Sequence, residues 1–100
     1  MSQTFDGVIE AVRYQGGQIV LVRAYERRGA TFSDHVLLDR KALLERLKQG
    51  RRFVTGQRKE LLASTFAVDK SVQAIQHNGK EFLATRPDAE RDELENVPAF

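Results

Sequence analysis

One amphipathic helical pattern, marked at both ends, lies between two stretches in which apolar residues alternate as they do in β-strands. It covers residues 40–49 and places four apolar side chains on one stripe at helical spacing: Ala42, Leu43, Leu44 and Leu47. Asp39 suits the N-cap, because its carboxylate can accept hydrogen bonds from N–H groups of the first turn. Gly50 suits the left-handed residue that ends a helix. Because so short a helix is marginal alone, we expect a sheet to hold the stripe.

Before the helix, the chain is predicted to form a β-hairpin of residues 5–14 and 18–26, followed by a third strand over residues 31–38. Gly16-Gly17 lies between the first two strands and suits a two-residue turn, whose central positions need positive φ angles. The register that follows pairs Tyr14 with Ile19, Val12 with Leu21, Glu10 with Arg23 and Val8 with Tyr25. These side chains would share one face, with an ion pair in its middle. Since both faces are largely apolar, we expect the hairpin to be central in the sheet.

After the helix, four strands are predicted over residues 51–55, 59–68, 71–77 and 80–85. The turns between them would lie at Gly56-Gln57, Asp69-Lys70 and Asn78-Gly79. Asn-Gly is the dipeptide most typical of a two-residue hairpin turn. That turn places Ile75 opposite Phe82 and Ala74 opposite Leu83.

The order β-β-β-α-β-β-β-β, with short connections, predicts an α+β fold with a mainly antiparallel sheet. We expect a curved sheet or small open barrel of six to seven strands, with one helix packed on it. Residues 1–86 would form this single β-rich globular domain. Residues 87–100 carry five acidic residues and few apolar ones, and they are predicted to be a flexible C-terminal tail.

Positive charge is concentrated in and just after the helical pattern, although the net charge of the chain is +2. Residues 1–86 hold 15 Lys and Arg against 9 Asp and Glu, whereas residues 87–100 hold one Arg against five acids. Eight bases lie within residues 40–59: Arg40, Lys41, Arg46, Lys48, Arg51, Arg52, Arg58 and Lys59. Charge of this density fits a protein that binds a polyanion, and it also fits a small domain whose charges keep it soluble. We therefore predict that these eight side chains form a polyanion-binding surface.

No residue pattern in the chain predicts catalysis, a metal site or a cofactor. Cysteine is absent, and His35 and His77 are too far apart in the sequence to predict a shared metal ion. The carboxylates are scattered, and Ser33 lacks the turn motif that exposes a nucleophilic serine. The absence of cysteine fits a reducing cytoplasm, and no apolar run approaches the roughly 20 residues that span a bilayer.

These observations favour a small non-enzymatic binding module, with RNA or single-stranded nucleic acid as the first candidate ligand of the basic stretch 40–59. Tyr14 and Tyr25 could stack on bases, although their aliphatic neighbours favour core packing for both. Another acidic macromolecule would satisfy the same charges. The alternative is a homo-oligomeric or protein–protein interaction domain, in which an uncovered apolar face of the hairpin forms a homodimer interface.

Overall fold

A computed structural model of the chain describes residues 5–28, 31–32, 36–58, 66–77, 79–86, 89 and 91–100. Its elements are β1 (Gly7–Gln15), β2 (Gln18–Arg28), β3 (Thr31–Phe32), β4 (Val36–Asp39), α1 (Arg40–Lys48), β5 (Phe53–Arg58), β6 (Phe66–His77) and β7 (Lys80–Ala84). The α+β class, the strand number and the single packed helix of the prediction are confirmed among these residues. The division of the strands differs, because four of them precede the helix and three follow it.

The strands form one curved sheet that does not close on itself within the described part of the chain. Their spatial order is β3-β2-β1-β5-β6-β7, and β4 pairs with β2 beside β3. Every pairing is antiparallel except that of β1 with β5. Parallel neighbours need a long crossover, and α1 lies in the connection that returns the chain to β1. The helix is therefore placed against the sheet by the same connection that sets the strand order.

The β1–β2 hairpin turns at Gly16-Gly17 as predicted, with both glycines at positive φ, 61° and 79°. The outer predicted pairs are confirmed, Tyr14 with Ile19 and Val8 with Tyr25. The two predicted inner pairs are wrong, because Val12 pairs with Val22 and Ala11 pairs with Arg23. Arg23 nevertheless reaches Glu10, and its Nη1 atom lies 3.9 Å from the carboxylate.

Two compensating β-bulges explain the change of register. One extra residue, Val20, lies in β2, and a second, Glu10, lies in β1. Each bulge reverses the side-chain alternation of its strand. Ile9 and Val12 consequently lie in the same core cluster, although a regular strand would place them on opposite faces. The prediction that all eight paired side chains share one face is wrong for this reason.

The second half of the sheet contains fewer turns than predicted. β5 continues through Gly56-Gln57, and β6 continues through Asp69-Lys70, so the turns predicted at both sites are wrong. Asp69 and Lys70 form a bulge opposite Thr55, whose hydroxyl accepts a hydrogen bond from the Lys70 N–H at 3.1 Å. A pair of turn-forming residues is thus accommodated inside one long strand. Of the predicted strand 59–68, residues 59–65 lie outside the described part of the chain.

The β6–β7 hairpin has the predicted register, with Ile75 opposite Phe82 and Ala74 opposite Leu83. Gly79 in its turn has a φ of 77°. The Asn-Gly signal therefore specified this hairpin correctly.

The helix begins and ends where the capping residues predicted. The Asp39 carboxylate accepts a hydrogen bond from the Ala42 N–H at 2.7 Å. Gly50 has a φ of 87°, and the Arg51 N–H donates to the Arg46 carbonyl at 3.1 Å, which completes a Schellman motif. The apolar stripe packs on the main core, where Leu43 is fully buried and Ala42, Leu44 and Leu47 are partly buried.

The C-terminal segment, residues 91–100, packs along the sheet. Ala99 forms a parallel bridge with Val12 of β1, and Glu93 forms one with Ala84 of β7. Leu94 is buried in the main core. The acidic composition of residues 87–100 predicts a flexible tail, and hydrogen exchange would test that prediction. The contacts of residues 91–100 place this segment between β7 and β1.

Candidate anion-binding groove

Arg40, the first of the eight predicted bases, forms hydrogen bonds within the protein. Its Nη1 atom hydrogen-bonds the Asp92 carboxylate, and Nη2 donates to the Glu81 carbonyl. The Asp92 side chain is 1% exposed and also accepts hydrogen bonds from the Ile19 N–H at 2.8 Å and the Leu83 N–H at 2.9 Å. A buried carboxylate needs partners of this kind. Arg40 therefore ties the helix to the C-terminal segment.

Two further helical bases also have internal partners. Arg46 hydrogen-bonds the carboxylate of Glu26 through Nε, and Glu26 is a buried residue of β2. The Lys48 ammonium lies 3.4 Å from the Glu81 carboxylate. Arg46 joins α1 to β2, and Lys48 makes an exposed ion pair with β7. The helix therefore contributes less free positive charge than its composition indicates.

The remaining described bases of the set are Lys41, Arg51 and Arg52. All three are exposed, and none of them makes an ion pair with a described residue. Lys41 lies in the first turn of α1, whereas Arg51 and Arg52 follow its last turn. The side chain of Arg58 and the whole of Lys59 lie outside what the structure describes, so their part in the predicted surface stays a prediction.

Arg51 and Arg52 line a groove of about 580 Å³, which we call the Arg51–Arg52 groove. The groove lies at the N-terminal end of β5, where residues 50–52 connect the helix to the strand. β6 continues past that end of β5. Arg52 is held on the β1 side, because its carbonyl accepts from the Asp6 N–H at 2.6 Å and the Gly7 N–H at 3.1 Å.

The floor of the groove is apolar and its rim is charged or polar. Leu47 of the helix, Phe53 of β5 and Val72 of β6 contribute to the floor. Ser71 and Gln73 lie at the β6 side and are exposed. A concave site with an apolar floor and a few polar groups can hold an extended ligand and fix its charge.

The aromatic platforms that single-stranded nucleic acid prefers are absent from the described surface of the groove. Its two aromatic residues, Phe5 and Phe53, are buried. Tyr25 is also buried, in a second small core with Val8. Tyr14 accepts a hydrogen bond from the Leu94 N–H through its hydroxyl at 3.1 Å. The charge requirement for a polyanion is therefore better satisfied than the stacking requirement.

The sequence identified the two arginines but missed the β6 side of the groove. Residues 71–74 were predicted as the start of a separate strand after a turn at Asp69-Lys70. The observed bulge makes β6 continuous, and this continuity carries the strand past the end of β5. No local signal distinguishes a turn from a bulge at an Asp-Lys pair, so the groove depends on long-range pairing.

Within the described part of the chain, no group of three His, Asp or Glu side chains could hold a metal ion. No helix that the structure describes is long and apolar enough to cross a membrane. Comparisons of the chain with protein-family models, with curated proteins and with solved structures find no significant match. The functional argument therefore rests on the groove.

Proposed function

We propose that this domain is a non-enzymatic binding module that takes a polyanion at the Arg51–Arg52 groove. The observation that carries the proposal is that two exposed arginines, without ion-pair partners among the described residues, line one concave surface of about 580 Å³. Arg40, Arg46 and Lys48 belong to the scaffold in this proposal, and Lys41 adds long-range attraction.

RNA or single-stranded nucleic acid is one ligand class with the required charge, and an acidic protein segment is another. Binding of a nucleic acid to the arginines would release cations condensed on its phosphates, and salt screens the attraction of either ligand. Both affinities should therefore fall as salt rises. For a single strand that contacts both arginines, the expected slope of log K against log salt is about −1.4.

The test measures binding of a fluorescent oligothymidylate by anisotropy at several salt concentrations. We expect measurable affinity, with the predicted salt slope, for the natural chain and its loss in Arg51→Glu/Arg52→Glu. Lys80→Glu/Arg91→Glu makes the same change of net charge at exposed residues that do not line the groove, and it should retain most of the affinity. Equal losses in the two double variants would show a non-specific charge effect and overturn the assignment to the groove.

The alternative, a homodimer built on the first hairpin, depends on an apolar hairpin face that stays uncovered. Central residues from the expected open faces, Val12 and Tyr25 among them, are buried by packing within the chain. Leu37 and Val68 are the large aliphatic side chains that stay exposed among the described residues, and they lie on different strands. We therefore retain the polyanion-binding module as the single proposal.

A further inference from the structure

The Arg51–Arg52 groove runs beside an open edge of the sheet. β6 pairs with β5 only as far as Val72, and residues 73–77 pair with β7. On the side away from β7, residues 73–77 have no backbone partner among the described residues. An open edge of this kind presents unpaired N–H and C=O groups in a row.

The hairpin geometry identifies which backbone groups face the open edge. His77 and Lys80 flank the two-residue turn, and residues at this position exchange both of their hydrogen bonds. Along an antiparallel strand, alternate residues direct their backbone groups to opposite sides. Gln73, Ile75 and His77 therefore bond to β7. The N–H and C=O groups of Ala74 and Gln76 point to the open side.

The open edge and the two arginines border the same space. Ala74 and Gln73 line the groove together with Arg51 and Arg52. A peptide strand placed there would extend the line of β5 beyond its N-terminal end. Ala74 of β6 would lie on one side of the peptide and the two arginines on the other. Its backbone could pair with β6 while its acidic side chains lie near the guanidinium groups.

We propose that an extended acidic peptide adds as a strand to β6 at Ala74 and Gln76, with its carboxylates bound by Arg51 and Arg52. This inference rests on the proposed polyanion site and names its ligand class. A peptide backbone offers alternating donors and acceptors that match an open strand edge, whereas the phosphates of a nucleic acid, and the 2′-hydroxyls of RNA, do not form that pattern. The buried state of Phe5 and Phe53 removes the aromatic stacking that would favour bases.

The test uses synthetic peptides of alternating glutamate and valine, long enough to cover residues 73–77, with the full-length protein. N-methylation of every glutamate nitrogen, or of every valine nitrogen, gives two peptides with equal charge. In strand addition one set of N–H groups faces β6 and the other faces away. We expect one methylated peptide to bind roughly tenfold or more weaker than its parent and the other to bind comparably.

A protein variant tests the same edge from the other side. Gln76→Pro removes an N–H that does not serve β7, at an exposed residue that does not line the groove, and proline is tolerated at strand edges. It should weaken the acidic peptide and leave oligothymidylate affinity unchanged, whereas the matched variant Gln76→Thr should bind both ligands normally. The peptide series decides the matter even if the proline variant does not fold.

Three outcomes separate the two proposals. Salt-dependent oligothymidylate binding without peptide binding would overturn strand addition and leave the polyanion site standing. Equal binding of both methylated peptides would also overturn strand addition, since charge alone would then hold the peptide. Failure of both the oligothymidylate and the parent peptide to bind would overturn the polyanion site itself.

Discussion

Asp92 joins parts of the protein that are distant in sequence, and its replacement by alanine should be among the most damaging single changes. Its carboxylate accepts from the Ile19 N–H of β2, from the Leu83 N–H of β7 and from Arg40 of the helix. Alanine would leave all three donors without this acceptor. The carboxylate itself is closed to solvent, because the Asp92 side chain is 1% exposed.

The magnitude follows from two independent considerations. Removing one partner of a buried ion pair typically costs about 3–5 kcal/mol. Two orphaned backbone N–H groups at about 1–3 kcal/mol each give about 2–6 kcal/mol, which brackets that range. Since 1 kcal/mol shifts the melting temperature of a domain of this size by roughly 5 °C, the Asp92→Ala variant should melt roughly 15–25 °C lower.

The assay is equilibrium urea unfolding followed by circular dichroism, with the slope m checked for constancy. Glu93→Gln is the matched control, because Glu93 is adjacent and its carboxylate accepts from Arg86 Nη2 at 2.7 Å near the surface. An ion pair at such a site contributes at most about 1 kcal/mol. If Asp92→Ala loses no more free energy of unfolding than Glu93→Gln, the carboxylate is not the junction described above.

Further predictions concern the close-packed strands, the helix cap and the oligomeric state. A Cβ atom on Gly7 would lie 2.4 Å from Cε2 of Phe53, so Gly7→Ala should destabilise by about 1–3 kcal/mol; an unchanged melting temperature would contradict this packing. Asp39→Ala should cost about 1 kcal/mol through loss of the Ala42 N–H bond, and Asp39→Asn much less; equal losses would argue against capping. Because the hairpin faces are covered, sedimentation velocity should show a monomer at every dilution, and a dimer would contradict that packing.

Features of the fold that are encoded locally were predictable from the sequence. The helix bounds follow from Asp39, Gly50 and a leucine stripe, all within twelve consecutive residues. The β6–β7 register follows from a two-residue turn. In each case neighbouring residues define the geometry, and distant parts of the chain need only supply burial.

Features that depend on long-range pairing were not predictable. The bulges at Val20 and Glu10 leave the apolar alternation intact in the sequence, yet they reverse which side chains meet the core. The bulge at Asp69-Lys70 uses residues that equally suit a turn. The position of the C-terminal segment could not be predicted from its composition either. It depends on one buried carboxylate, Asp92, whose hydrogen-bond donors lie on β2, on the helix and on β7.

The candidate site was partly predictable for the same reason. Charge density drew attention to Arg51 and Arg52, since charge is read directly from the sequence, and their role in binding stays a prediction. The same count overstated the free charge of the helix, because Arg40, Arg46 and Lys48 have acidic partners on β2, on β7 and in the C-terminal segment. Partners so distant in the sequence become apparent only when the sheet is assembled.

The proposed function is tested most directly by mapping where a polyanion contacts the protein. In amide NMR spectra of the isotope-labelled chain titrated with oligothymidylate at low salt, residues 50–54 and 71–74 should show the largest shifts. Residues 36–39 of the opposite sheet edge should be unaffected. Shifts that spread over all exposed bases, or that concentrate away from the Arg51–Arg52 groove, would contradict the assignment of polyanion binding to this groove.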